Sequence, residues 1–404
     1  MKNLVIIGKV FPEPNSTAAG SRMIQLMDLF LTQNYQITFL STATISENSF
    51  DLSSKNISFQ NIVLNDSSFD ELIKNLNPEI VIFDRFTTEE QFGWRVSEQV
   101  PNAVKILDTE DLHFIRTARE KAFRQNKFLE NSDLINDVFK RELASILRCD
   151  LSLIISEFEM NLLIEKFKID KNILFYLPLF GAVKKPETSF SERKNFISIG
   201  NFLHEPNWQT VLQLKKLWKN IKNQLPEAEI HIYGAYASEK VCQLHNEKEG
   251  FIIKGRAECV ETVFNTAKVL LAPIPFGAGI KGKLLESMQF GLPNVTSAVG
   301  AEAMHGNHDW NGFITDNETE FVEKAVLLYQ NENLWQKSQE NGYKIVENRF
   351  KKELFEPHFI HKIQEISENL ESHRNQNFLG QILQHHTLQS TKYLSKWIEE
   401  KNKK

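Results

Sequence analysis

The chain is predicted to be α/β, made of two domains with doubly wound parallel sheets facing each other across a cleft. Three observations predict this. Short apolar runs of strand character alternate with helical runs from residue 4 to residue 177, and the alternation starts again at residue 196. Residues 181–194, between the two series, are polar and without period, as a linker is. The 404 residues leave room for two sizeable cores.

In the first series, residues 4–8 read as a buried strand. A loop over 11–22 follows, then a helix from about Ser21 with Met23, Leu26, Met27, Phe30 and Leu31 on one face, then a strand over 37–40. This βαβ opening requires a parallel sheet, whose strand-to-helix loops lie at the carboxyl edge where ligands bind. In that loop Gly20 permits close backbone approach, and Arg22 suits a phosphate or carboxylate. Strands over 80–83 and 104–107 come next. The first ends at Asp84 and Arg85. The second runs into Asp108-Thr-Glu-Asp-Leu-His113, four ionisable residues in six. Two readings of this run stand: a polar cluster facing a ligand, or a helix start capped by Asp108 or Asp111 with His113 exposed. Residues 117–147 are helical and highly charged, which is more often a solvated face than a binding one. A strand over 151–156, a helix over 157–167 and a short strand over 173–177 close the first domain, set at residues 1–185.

The second domain, residues 186–350, opens with a strand over 196–200 that ends in Gly200 and leads to Asn201, His204 and Asn207. Further strands fall at 229–234 and 251–255, with Arg256 just past the latter. An apolar run over 267–275 precedes the most informative stretch, Phe276-Gly-Ala-Gly-Ile-Lys-Gly-Lys-Leu-Leu-Glu-Ser-Met-Gln-Phe-Gly-Leu-Pro293. It reads as a strand, a turn with Gly277, Gly279 and Gly282, then a helix closed by Gly291 and Pro293. Such a turn points free N–H groups and the positive end of a helix dipole at one place. Lys281 and Lys283 add cations there, and Glu286, one turn inside, adds a carboxylate. Together they suit a ligand with both a phosphate and a sugar hydroxyl. Residues 313–348 read as a loop and two helices, and 351–372 as a helix. In the tail, 373–404, Phe378, Leu379, Ile382 and Leu383 recur at helical spacing, as do Tyr393, Leu394, Trp397 and Ile398, with lysines beside the second set. The tail is read as packed on its own domain, with a membrane surface or a partner subunit as the alternative.

The stretch from Gly279 to Pro293 resembles the donor signature of retaining glycosyltransferases of family 4, which have the GT-B fold. Their pattern has two glutamates with seven residues between them. Glu286 matches the second, which in the family holds the ribose of the donor. The first falls at Ala278, which has no carboxylate. The Arg and Lys that many members carry after the first strand of the donor domain are also absent; Asn201, His204 and Asn207 stand there. The resemblance implies donor contacts through Gly20, Arg22, Gly200, Asn201, Arg256, Gly279, Ile280, Lys281, Gly282, Lys283, Leu284 and Glu286. It implies an acceptor side at Asp108, Asp111 and His113. The groups nearest the chemistry would be His113, Lys281 and Glu286. It also implies that the helix over 351–372 crosses back to the first domain, and that Glu302 is structural.

Composition is that of a soluble globular protein, 41% hydrophobic and 25% charged. The net charge of −5 argues against nucleic acid as the main partner. Cys149, Cys242 and Cys259 show neither metal-ligand spacing nor even pairing, which points to a reducing compartment. The apolar run at residues 4–8 is too short for a signal peptide, and no run reaches the length of a membrane span. The expectation is a cytoplasmic glycosyltransferase, without cofactor or metal, that moves a sugar from a nucleotide-diphosphate sugar to a glycan or lipid-linked acceptor, with retention. The work of such an enzyme is in cell-surface polysaccharide or glycoconjugate synthesis, and peripheral membrane contact would come through the tail. A sugar-nucleotide epimerase and a non-catalytic binding module of the same fold remain as rivals.

Overall fold

The computed structural model describes residues 2–186 and 188–403. Its strands form two parallel sheets. The first holds β1 (Lys2–Gly8), β2 (Tyr35–Ser41), β3 (Ser58–Asn61), β4 (Ile80–Asp84), β5 (Val104–Asp108), β6 (Leu151–Ile154) and β7 (Leu174–Tyr176), in the order 3-2-1-4-5-6-7. The second holds β8 (Lys194–Ile199), β9 (Ile230–Tyr233), β10 (Phe251–Gly255), β11 (Ala267–Ala272), β12 (Asn294–Thr296) and β13 (Gly312–Ile314), in the order 10-9-8-11-12-13. Both orders reverse direction once, between β1 and β4 and between β8 and β11. Ligands of such sheets bind at the carboxyl ends of the strands beside that reversal.

Helices cover both faces of each sheet, so the central strands are buried and mostly apolar. Every residue of β4 and β5 is buried. Each sheet has a core on either side. The helix Glu356–Glu368 adds Phe359, Ile363 and Ile366 to a core of the first sheet, so the chain does cross back. Ile155 and Leu179, at the end of the first domain, pack into a core of the second.

Several elements differ from the sequence reading. β3, β12 and β13 were not expected. β3 is an edge strand with all four residues exposed, and β12 and β13 have three residues each, too short to show alternation. The first helix spans Ala18–Leu31, starting before Ser21, because Thr17 caps it and accepts the Gly20 N–H at 2.9 Å. The charged run divides into helices His113–Arg124 and Asp137–Arg148. Neither Asp108 nor Asp111 caps the first of these. Buried Glu142, from the second, accepts the N–H groups of His113 and Phe114, each at 3.0 Å.

The tail helix, Phe378–Asn402, lies on the first domain against the helices Phe86–Gln99 and Asp137–Arg148. Its seam is polar: Ser395 donates to Asn65 at 2.9 Å, and Lys392 meets Glu98 at 2.6 Å. Phe378, Leu379, Ile382, Tyr393, Leu394 and Trp397 stay more than half exposed. No helix among the described residues is long and apolar enough to cross a membrane.

Candidate functional site

The two reversal points face each other across a cleft of about 520 Å³. The first domain contributes the loop after β1 (Lys9 to Ala19), Arg85 after β4, and Glu110, Asp111, His113 and Arg116 after β5. The second contributes Gly200, Asn201, His204 and Asn207 after β8, Arg256 after β10, and the run from Ile274 to Lys283, with Glu286, after β11.

The Gly-rich turn is held by contacts from both domains. Gly279 has φ +63°, which an alanine tolerates poorly, and a Cβ there would stand 2.9 Å from the Cβ of Asp111 in the other domain. A Cβ on Gly282 would come within 2.7 Å of Ala18. Glycine therefore serves here to let the domains approach as well as to expose backbone. The helix Gly282–Gln289 starts at Lys281 without a side-chain cap. The Leu284 and Leu285 N–H groups turn to the Lys281 carbonyl, at 2.9 and 3.2 Å, so those of Gly282 and Lys283 are the ones left to the cleft.

Lys281 folds back on the turn, its Nζ donating to the Gly279 carbonyl at 2.8 Å. Lys283 Nζ donates to Asn207 Oδ1 at 2.8 Å, so Asn207 positions the ammonium group at the cleft. A Cβ on Gly200 would crowd both, standing within 2.8 Å of the Asn207 amide and the Lys283 ammonium. Burial pushes both ammonium groups down to about 8, against the opposing pull of Glu302 on Lys281 and Glu286 on Lys283. Burial likewise pushes the Glu286 carboxyl up to about 7, with Lys283 drawing it back. Arg256 lies exposed at the rim.

On the opposite wall His113 is held edge-on to Phe86, ring centroids 5.4 Å apart. Its Nδ1 lies 3.1 Å from the Asp111 carbonyl and 3.3 Å from Glu142 Oε1. Asp111 takes a 2.6 Å hydrogen bond from Arg116. The structure thus brings His113, Asp111, Arg256, Gly200, Asn201, Gly279, Ile280, Lys281, Gly282, Lys283 and Glu286 to one cleft.

Four expected contacts are not made there. The Gly20 N–H is spent on Thr17, and Gly20 lies against the backbone of Glu13. Arg22 and Asp108 form a buried pair, with Arg22 Nε 2.8 Å from Asp108 Oδ1 and Nη1 donating to the Leu177 carbonyl at 2.7 Å. They tie the first helix to β5 and β7 and do not reach the cleft. Leu284 is core, and its N–H is used by the Lys281 carbonyl at 2.9 Å. The charged run also departs from a solvated face. Arg119 makes a two-pronged ion pair with Glu302 across the domain gap, at 2.8 and 2.7 Å, and donates to the Gly277 carbonyl at 2.8 Å.

Sequence reasoning did not name Lys9, Arg85 or Arg116 as cleft residues, nor Glu159 as their neighbour, and Glu110 entered it only as part of the polar run over 108–113. Glu159 is buried on the helix Glu157–Asn161. Its Oε1 accepts the N–H of Gly279 at 2.8 Å and that of Leu112 at 3.2 Å. Burial, with Asp111 adding to it, pushes its carboxyl up to about 8. Further ties across the gap join Glu157 to Arg349 at 2.5 Å and Tyr236 to Glu13 at 2.9 Å. Among the described residues no group of three or more His, Cys, Asp or Glu side chains is placed to hold a metal.

Two Rossmann-like domains meeting at their reversal points, with a crossing-back helix, constitute the GT-B fold. Residues 193–331 match the profile of the family described as glycosyl transferases group 1. Solved structures agree on the fold over nearly the whole chain. A glycosyltransferase from Rickettsia africae aligns with a TM-score of 0.67 at 14% identity, over 91% of this chain and 99% of that one. Sucrose-phosphate synthase from Thermosynechococcus elongatus gives 0.68 at 12%, over 91% and 99%. The pneumococcal O-GlcNAc transferase, solved with UDP and GlcNAc, gives 0.68 at 13%, over 90% and 99%. No curated protein matches the chain in sequence.

Proposed function

We propose that this chain is a glycosyltransferase that moves a sugar from a nucleotide-diphosphate donor to an acceptor, with retention of configuration, in cell-surface polysaccharide or glycoconjugate synthesis. The observation that carries the reading is the uncapped helix Gly282–Gln289, opening on the interdomain cleft with Lys281, Lys283 and Glu286 around it. Charge builds on the leaving diphosphate as the sugar departs. Fixed N–H groups and ammonium groups in a water-poor site stabilise that charge without reorganising. The reading therefore assigns this role to Lys281, Lys283 and the helix terminus and needs no metal. Glu286 holds the ribose, Arg256 faces the nucleotide at the rim, and His113 meets the transferred sugar. The solved O-GlcNAc transferase and an Anabaena relative, both with bound UDP, support a uridine donor as the first to try.

In this reading residues 1–185 serve the acceptor and 186–350 the donor. The exposed apolar residues of the tail helix, with Lys396 and Lys401 among them, suit contact with the cytoplasmic face of a membrane that carries a lipid-linked acceptor. Calorimetric titration with a panel of sugar nucleotides tests the core of the proposal, with Glu286→Ala as control. Binding of one donor in the micromolar range that the variant weakens supports it, and a protein that binds none of the panel overturns it. An epimerase would convert the donor with no acceptor present, which the same samples show by chromatography.

A further inference from the structure

The first-domain wall of the cleft holds a carboxyl group for which neither the packing nor the proposed donor site has a use. Glu110 lies two residues past the end of β5 with φ +64°, and Arg85, just past the end of the neighbouring β4, has φ +71°. The left-handed region disfavours any residue with a Cβ, and such residues persist where the surroundings fix them. The surroundings do so here. Asp108 is clamped by Arg22, the Arg85 N–H donates to the Asp108 carbonyl at 2.8 Å, and the Thr109 hydroxyl donates to the Leu153 carbonyl at 2.8 Å. Neither side chain joins a core cluster, and both line the cleft.

The carboxyl of Glu110 is also short of partners. Its Oε1 is buried with no hydrogen-bond partner among the described residues. A buried oxygen in that condition is costly unless something supplies the missing bond. Arg85 spends one Nη1 bond on Asp84 at 3.1 Å and keeps further donors. Burial pushes the Glu110 carboxyl up to about 8, with Arg85 pulling the other way. Near neutrality it therefore both donates and accepts. A phosphate or carboxylate placed here would be repelled whenever Glu110 is ionised, which near pH 8 is about half the time. A hydroxyl group satisfies both neighbours, giving its proton to one and its lone pair to the other.

We infer that Glu110, with Arg85 beside it, receives a sugar hydroxyl of the acceptor and so selects what the enzyme glycosylates. The inference rests on the transferase reading above. It assigns the acceptor an uncharged, polyhydroxylated end at this point, whatever is attached further out.

The test uses the full chain and whichever sugar nucleotide the calorimetric panel identifies, with methyl and octyl hexosides as acceptor probes. Glu110→Gln and Glu110→Gly are compared with the wild type. Both variants are expected to bind the donor within about twofold of wild type. Both should raise the KM for the best hexoside, or lower its kcat/KM, by roughly ten- to a hundredfold, the range for losing a hydrogen bond to an ionisable group. Glu110→Gly, which suits the left-handed backbone, should melt at or above the wild-type temperature, so a lost reaction cannot be put down to lost structure. Transfer to the hexosides at wild-type kcat/KM and KM by both variants would overturn the inference. So would a wild type that binds and hydrolyses donor yet glycosylates no hexoside of the panel. A wild type that binds no sugar nucleotide at all is a different outcome, which removes the transferase reading itself.

Discussion

Donor affinity is expected to pass through a maximum between about pH 7 and pH 8, and Glu286→Gln to remove its acidic side. The Glu286 carboxyl sits at about 7 and the Lys281 and Lys283 ammonium groups at about 8. The signs are opposite. Glu286 is ionised only above its pKa, so its hydrogen bonds to ribose strengthen as pH rises through 7. The lysines are charged only below theirs, so their hold on the diphosphate weakens as pH rises through 8. The phosphates of a nucleotide-diphosphate sugar stay ionised across this interval and add no limb. One proton changes an affinity by at most about tenfold per pH unit. A hydrogen bond to a charged acceptor contributes about 1.5–3 kcal/mol, or roughly ten- to 150-fold in Kd. Glu286→Gln should therefore weaken binding by about that factor near pH 8, and by about tenfold less near pH 6, where the wild-type carboxyl is already neutral. Glu110 and Glu159 also titrate near 8, but they are common to both proteins and cancel in the ratio. Calorimetry with the same donor across the interval supplies the ratio. A ratio that stays flat with pH, or stays near one, refutes the assignment of Glu286 to the ribose.

The other predictions concern the frame of the site. Arg119→Ala removes the two-pronged contact with Glu302 and should cost about 1.5–3 kcal/mol of domain closure; solution scattering should show a wider particle, and donor hydrolysis should rise relative to transfer. Asp108→Asn leaves the Arg22 guanidinium buried against a neutral partner and should lower stability by about 3–5 kcal/mol in urea unfolding. The protein that remains folded should keep its donor affinity, which a role at the donor would not allow. Gly279→Ala adds a methyl group 2.9 Å from Asp111 at a left-handed backbone, so it should open the cleft and weaken donor binding without unfolding either domain. A chain ending at Ser372 should lose flotation with anionic lipid vesicles relative to the full chain; equal flotation removes the tail from membrane contact.

The two sheets were largely legible in the sequence because buried parallel strands are continuous apolar runs, as in β1, β4, β5 and β11. The edge strands were not: β3 is exposed along its length, and β13 gains its register from β12 alone. The turn from Gly279 to Glu286 was legible for a different reason. Its chemistry is local, since glycines, helix start and lysines follow one another along the chain. Arg22 and Asp108 misled because each looks like a loop charge until its partner, 86 residues away, is in view. Only the folded chain shows that they neutralise each other in the interior. Arg119 misled in the reverse sense, since a charged helix gives no sign of which single residue meets the other domain.

The missing carboxylate at Ala278 shows how far local pattern reaches. Ala278 lines the cleft and packs against the core of the first domain. The neighbouring N–H, that of Gly279, is taken by Glu159, which lies 120 residues earlier and in the opposite domain. An acidic group does therefore stand against this turn, reaching it from across the domain gap. The same carboxyl oxygen holds Leu112, between Asp111 and His113, so it couples the position of the turn to that of the first-domain wall. A carboxyl group borne by the turn itself would travel with the second domain; that of Glu159 belongs to the first. At residue 278 the turn itself thus lacks a carboxyl group, and the one beside it comes from the other domain, held largely protonated near neutrality by burial. No spacing rule along the chain could have revealed that.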